Sequence, residues 1–345
     1  MFMATGLLVF LAYLHFFVGF EEILGILQQV SPAQYLLYYS LTIVAIVLSA
    51  FFYSMVWHDL LKTLSINIGR KRSFLYCWIG NFVDLVIPFE TVTGEITRIY
   101  LITKDLNADL GRTVASVVCH RIISVFTTLS LLAASSLYLV LTYKVEVQVL
   151  YLLVAVIIGA AATIAIIFYL SVAEAAAKKL VDVLVWFAGV ITRNRLDLAE
   201  TRNKAEQALS VFHHGVMTFG RNPLYLVKPL VYSYLSWAFH LIVYFLVFYA
   251  LGFLEVAGRV PQMIIVFSIS LSVQTIPIGF PVGLVEIVMT SLYRLFGFGA
   301  AISGVATSLI RLVTFWFQIL VGYVLVQWVG IKYLLDRNST DKVEI

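Results

Sequence analysis

The segment Tyr35–Trp57 reads YLLYYSLTIVAIVLSAFFYSMVW and contains no charged residue. A helix needs about 20 mostly apolar residues to cross the hydrocarbon core of a bilayer. A slightly shorter segment, Met3–Phe20, has no basic region before it, and we interpret it as an uncleaved first span. We therefore predict an all-α polytopic membrane protein with about six full spans. The other four spans are predicted at Ile122–Thr142, Gln148–Leu170, Val231–Leu251 and Leu312–Ile331.

The composition of the 345 residues supports this class over their whole length. Hydrophobic residues make up 61% and charged residues 12%, against roughly 45–50% and about 25% in soluble domains. We interpret residues 1–335 as a single transmembrane domain and residues 336–345 as a polar cytoplasmic tail. The net charge of +4 is too small to indicate a nucleic-acid partner.

The positions of the 23 lysines and arginines predict the orientation. Most of them lie in four alternate connections, whereas the intervening connections contain only Lys144 and Arg259. Positive residues accumulate on the cytoplasmic side of membrane proteins. We therefore predict a multi-pass protein of the plasma membrane with both termini in the cytoplasm. The long connection 171–222 would be a cytoplasmic, interfacial pair of helices, and its His213 and His214 would be solvated.

Two further apolar stretches do not fit this alternation as simple spans. The distribution of lysine and arginine places both flanks of Ser73–Pro88 in the cytoplasm and both flanks of Gln262–Arg294 outside the cell. Each stretch must then enter and leave the membrane on one side. We predict re-entrant hairpins at about 73–104 and 262–296, which enter from opposite sides. That arrangement is typical of the inverted repeats of transporters.

The first hairpin contains a helix break. Pro88 lacks a backbone donor and Gly94 permits unusual backbone angles. Thr93 is predicted to cap a new helix that starts near Glu95. Glu95 and Arg98 are three residues apart, so they can pair on one face of that helix.

The second hairpin has the same order of residues. Pro277, Pro281 and Gly283 end one helix, and Glu286 falls in the first turn of the next. The N-terminus of such a half-helix offers unpaired N–H groups and partial positive charge, which suit an anion such as a lipid phosphate. A glutamate in the first turn can take that place itself, so two interpretations remain open.

Ionisable residues in membrane segments are rare and indicate function by default. We consider three roles for those of this chain: a substrate path, internal salt bridges that fasten the hairpins, and snorkelling at the membrane surface, which suits Arg98 and Arg121 best. The two cysteines and six histidines match no metal-binding spacing, and no cofactor is predicted. The candidate site residues are Asp84, Glu90, Glu95, Arg98, Arg121, Glu286 and Arg311.

At these residues the sequence resembles a known family. The family's first signature is similar to the residues Pro88, Gly94-Glu95, Arg98 and Arg121. The family is the flippase-like transmembrane domain of lysylphosphatidylglycerol synthases and their stand-alone relatives, and the resemblance covers roughly residues 5–330. Its second signature is similar to a later group of residues: Gly283, Glu286, Arg311, Thr314 and Trp316.

The resemblance implies a domain with re-entrant helices that moves a lipid or a lipid-linked headgroup between leaflets. The soluble aminoacyl-transferase domain of the full-length synthases is expected to be absent, so we predict no enzymatic activity. The alternatives are a non-catalytic assembly or regulatory subunit and an intramembrane enzyme of lipid or glycolipid metabolism. Expected partners are a membrane phospholipid or lipid-linked substrate, with a second copy of the chain or a partner synthase as further possibilities. No nucleotide-binding motif is present in the sequence, so transport would be downhill, ion-coupled or driven by a partner.

Overall fold

The computed structural model describes residues 30–87, 93–142, 198–274 and 283–340, together with isolated residues at 25–28 and 150–179. Every regular element among these residues is helical, which confirms the all-α prediction. Ten α-helices are used below. They are α1 Pro32–Thr63, α2 Arg70–Val86, α3 Thr93–Leu106, α4 Leu110–Thr142, α5 Leu198–Arg221, α6 Val227–Ala250, α7 Val260–Gln274, α8 Leu284–Leu295, α9 Ala300–Arg311 and α10 Gln318–Thr340.

Five helical segments of the described residues are long and apolar enough to cross a membrane. Three of them coincide with the predicted spans at 35–57, 122–142 and 231–251, although the third ends at Ala250. The segment 254–274 is a fourth, although we assigned part of it to the second re-entrant hairpin. The predicted spans 3–20 and, in large part, 148–170 lie outside the described residues.

The last span begins earlier than predicted. We placed its start at Leu312. In the structure, α9 continues through a π-helical turn at Leu312–Phe317 into α10. Arg311 therefore lies inside a continuous apolar span of residues 300–329, and α10 extends to Thr340, which is within the predicted tail.

Three helices beside the predicted breaks are shorter than a full crossing. The helices α2, α3 and α8 have 17, 14 and 12 residues, which corresponds to about 25, 21 and 18 Å of helix axis. The hydrocarbon core is about 30 Å thick. These lengths are compatible with half-crossings, while re-entry itself stays a prediction.

The chain divides into two compact units. The first comprises residues 1–50, 74–98 and 238–345, and the second comprises residues 51–73 and 99–237. In the first unit, α1 is tied to α6 by Gln34, whose Nε2 donates to the Tyr249 carbonyl at 3.0 Å. The helices α2 and α10 approach closely at Gly322, where an added Cβ would overlap Phe82.

In the second unit, α5 packs on α4 through two glycines. A Cβ at Gly111 would overlap the Ala208 carbonyl oxygen, and a Cβ at Gly215 would be 2.8 Å from that of Ala115. Small residues allow helix backbones to approach this closely. A helix, Leu198–Arg221, is thus present within the predicted connection and packs tightly on α4, while the interfacial position of the connection stays a prediction.

This packing corrects the prediction for His213. Only 7% of His213 is exposed, whereas we predicted a solvated residue. Its Nδ1 contacts the Leu209 carbonyl oxygen at 2.9 Å, and its Nε2 has no hydrogen-bond partner among the described residues. His214, the next residue along α5, is exposed as predicted. Hydropathy alone did not reveal which face of α5 meets α4.

Candidate functional site

The helix α3, after the first predicted break, is held at its start by an aspartate from the preceding helix. The Gly94 N–H donates to Asp84 Oδ1 at 2.6 Å, and the Thr93 hydroxyl donates to the same oxygen at 3.0 Å. We predicted that Thr93 would supply the cap. Instead, the α2 side chain Asp84 accepts from both residues, so it fastens α3 to α2.

The backbones of α2 and α3 cross closely at Gly80 and Gly94, and this explains why both positions are glycine. A Cβ on Gly94 would overlap the Gly80 carbonyl oxygen and the Asp84 carboxylate. A Cβ on Gly80 would be 2.9 Å from the Gly94 carbonyl oxygen and 2.9 Å from Arg98 Cγ. Any larger residue at either glycine would separate α2 from α3.

Arg98 lies in the interior rather than at the membrane surface. Only 3% of the residue is exposed, so the snorkelling interpretation is wrong for Arg98. Its Nη1 donates to Cys77 Sγ at 3.9 Å. Glu95 is half-buried, and its predicted pairing with Arg98 stays a prediction.

The helix α8, after the second predicted break, begins directly after a glycine with an unusual backbone angle. Gly283 has φ +95°, a backbone angle that L-residues with a side chain rarely adopt. Its N–H donates to Glu286 Oε2 at 2.6 Å. The glutamate of the first turn thus reaches back to cap its own helix.

The other oxygen of the same carboxylate holds an arginine of the last span. Arg311 Nε donates to Glu286 Oε1 at 2.6 Å, and the two side chains are 2% and 1% exposed. The guanidinium carbon lies 4.4 Å from the centroid of the Phe315 ring. Glu286 therefore bridges the start of α8 and the middle of the last span.

The guanidinium has a buried nitrogen without a hydrogen-bond partner among the described residues. Arg311 Nη2 makes no hydrogen bond there, and neither does the hydroxyl of Tyr293. Unpartnered buried donors are costly, so Arg311 Nη2 marks a position that can receive an acceptor group.

A further hydrogen bond joins α8 and α9 next to the Glu286–Arg311 pair. The Thr290 hydroxyl of α8 donates to that of Thr307 of α9 at 3.2 Å. Directly after Arg311, the backbone changes to a π-helical turn. Such turns are rare and occur frequently at functional sites. The pair is thus held in a tightly constrained part of the first unit.

The structure places the predicted site residues in different ways. Asp84, Glu95, Arg98, Glu286 and Arg311 all belong to the first unit. Arg121 belongs to the second unit and is half-buried. Four predicted residues lie outside the described part of the chain: Glu90, Pro88, Pro277 and Pro281.

Sequence reasoning missed one member of the first site. Cys77 was interpreted as a buried apolar residue, but it accepts a hydrogen bond from Arg98. No local pattern distinguishes it from other buried residues. For metal binding, the described residues contain no group of three or more His, Cys, Asp or Glu side chains that could hold an ion.

Comparison with known proteins gives one family. The family described as "Lysylphosphatidylglycerol synthase TM region" matches residues 3–322. No solved structure matches the chain significantly.

Three archaeal relatives match most of the chain. A UPF0104 membrane protein of Methanothermobacter thermautotrophicus is 23% identical over 93% of this chain and 93% of its own length. A UPF0104 membrane protein of Pyrococcus horikoshii is 24% identical over 83% and 85%, respectively. A third, from Methanocaldococcus jannaschii, is 23% identical over 94% and 91%.

Proposed function

Because this chain belongs to the family of lysylphosphatidylglycerol synthase transmembrane regions, we propose that it moves a phospholipid or a lipid-linked headgroup between the leaflets of its membrane. The observation that carries the proposal is the buried Arg311, which binds Glu286 with one N–H and whose Nη2 has no hydrogen-bond partner among the described residues. A guanidinium is well suited to bind phosphate, since it presents several N–H donors in one plane.

The arrangement suggests how a headgroup would be received. A phosphate oxygen would accept a hydrogen bond from Arg311 Nη2. Glu286 would stay bound to Gly283 and Arg311, so it would position the guanidinium rather than contact the phosphate. Because Glu286 already accepts the Gly283 N–H, this N–H is not the anion site of the half-helix.

The Glu286–Arg311 pair also supports a second function. In a non-catalytic assembly or regulatory subunit, Glu286 and Arg311 would only fasten α8 to the last span. The double hydrogen bonding of Glu286 fits that role equally well. The two functions therefore have to be separated by a variant that removes the charges without disturbing the fold.

Leaflet exchange in liposomes tests the proposal. Labelled phospholipids are followed by a membrane-impermeant quencher in liposomes that contain the wild type, the double variant Glu286→Leu/Arg311→Met, or Arg294→Gln. The double variant leaves no unpaired charge in the interior, so it should fold. Arg294, exposed near the end of α8, is the control for loss of one positive charge.

We expect exchange in the wild type and in Arg294→Gln, and loss of exchange in the folded double variant. Equal exchange by all three proteins would contradict the assigned site. If the wild type exchanges neither phospholipids nor lipid-linked glycans, the transport function itself is wrong and the fastening role remains.

A further inference from the structure

The loop between α1 and α2 has a defined backbone. Ser65 adopts φ +62°, and its N–H donates to the Lys62 carbonyl at 3.1 Å. The Ile66 N–H donates to the Leu61 carbonyl at 2.9 Å. These two bonds form a Schellman motif, the hydrogen-bonded helix ending in which a left-handed residue follows the helix.

The residues after this motif alternate in exposure. Ile66 and Ile68 are 6% and 7% exposed, whereas Asn67 and Gly69 are exposed. This period of two is typical of an extended segment. The isoleucines anchor the loop in the second unit, so the polar positions keep a fixed place.

This loop and the end of α1 line an open cavity of about 370 Å³. Small-molecule sites typically have volumes of about 300–1,000 Å³, so this one can hold a headgroup but not a complete lipid. The lining residues are His58, Lys62, Ile66, Asn67, Ile68 and Gly69.

Two acidic side chains of the second unit already have partners. Asp59 binds Lys228 at 2.9 Å, and Asp105 binds Arg72 at 3.0 Å. The Lys62 side chain, in contrast, makes no hydrogen bond or ion pair with any other described residue. The positive charge of Lys62 is therefore available to a ligand in the cavity.

Two further features add donors to the same place. The His58 Nδ1 lies 3.4 Å from the Ser73 hydroxyl; if that hydroxyl donates, the ring carries its proton on Nε2. The 17-residue helix α2 begins at Arg70, directly after Gly69, and its N-terminus contributes partial positive charge. Ammonium, imidazole, amide and helix terminus are all groups that bind oxyanions.

We propose that this cavity binds a phosphoryl group, with Lys62 as its principal cation and Asn67 and His58 as hydrogen-bonding side chains. The group can belong to the headgroup of an anionic lipid or to a free phosphate. This inference is independent of the proposed transport, because all its residues belong to the second unit whereas Glu286 and Arg311 belong to the first.

Binding to the purified full-length chain in non-ionic detergent tests the proposal. Phosphatidylglycerol and diacylglycerol, which lacks the phosphoryl headgroup, are titrated and detected by native mass spectrometry. Inorganic phosphate is titrated by calorimetry. The variants are Lys62→Gln and Lys71→Gln; both residues are exposed, and both substitutions remove one positive charge, but Lys71 does not line the cavity.

We expect Lys62→Gln to weaken binding about tenfold, the scale of one charge-assisted hydrogen bond, and Lys71→Gln to weaken it less than about twofold. A Lys62-dependent affinity for phosphatidylglycerol alone would identify a lipid headgroup as the ligand. Lys62-dependent binding of inorganic phosphate would identify a free phosphate. Equal weakening by the two variants, equal binding of diacylglycerol, or no binding of either phosphate probe would overturn the proposal. None of these outcomes depends on leaflet exchange.

Discussion

Arg311 donates its Nε–H to Glu286 across 2.6 Å, in a position where neither side chain exposes more than 2% of its surface. The pair joins the start of a short helix to the interior of the last span. Burial removes both ions from water, and only their mutual attraction and hydrogen bonds offset that cost. The pair should therefore respond very differently to single and double substitution.

Glu286→Gln should destabilise the protein by about 3–5 kcal/mol, because it leaves the Arg311 charge buried without its counterion. Thermal or denaturant unfolding in detergent, with the wild type as the reference, measures this change.

The double variant Glu286→Leu/Arg311→Met provides the comparison. It should lose less stability than Glu286→Gln, since no unpaired charge remains. If the single substitution costs no more than the double one, the pair is not a coupled buried unit.

Gly94→Ala should disrupt the contact between α2 and α3. The new methyl group would overlap the Gly80 carbonyl oxygen and the Asp84 carboxylate, and overpacking of this kind typically costs about 1–3 kcal/mol. Gly220→Ala is the control, because nothing lies within 4 Å of a Cβ at Gly220. Equal unfolding temperatures of the two variants would show that the α2–α3 crossing is looser than described.

Ser65→Gly should stabilise the protein by about 0.5–1 kcal/mol. Ser65 has φ +62° at the position of a Schellman motif where glycine is favoured. Gly252, with φ +78°, occupies the equivalent position after α6, and Gly252→Ala should lose a similar amount. An unfolding temperature that shifts in the same direction for both variants would contradict this interpretation.

Gly215→Val should separate α5 from α4. A Cβ at this position already lies 2.8 Å from that of Ala115, and valine adds two further methyl groups. We expect faster cleavage within residues 198–221 under limited proteolysis, as the helix loses its packing. Gly220→Val lies on the same helix in open space, so it should be cleaved at the wild-type rate.

Cysteine labelling tests the predicted orientation. Cys77 and Cys119 are 2% and 8% exposed, so the native background should label weakly with an impermeant maleimide. A cysteine at exposed Lys71 should react only from the cytoplasmic side, and one at exposed Glu255 only from the outside. Reaction of both from one side, or a glycan on Asn338 of the sequon Asn338-Ser-Thr340, would refute the orientation.

Local features of the sequence determined the class of protein and the shape of the second break. Apolar length indicates a spanning helix because an exposed backbone cannot be solvated in lipid. The order of prolines, glycines and Glu286 predicted a new helix after Gly283, and α8 begins at Leu284. Each of these inferences depends on residues that are neighbours in the chain.

The tertiary structure decided which groups meet. Arg311 pairs with a glutamate 25 residues away, Asp84 caps a helix that Thr93 was predicted to cap, and His213 is buried. The sequence could not resolve these points, because a membrane charge can pair, snorkel or line a path with the same local pattern. Only the close packing of particular helix faces selects one of these outcomes, since it fixes which donors and acceptors lie within hydrogen-bond distance.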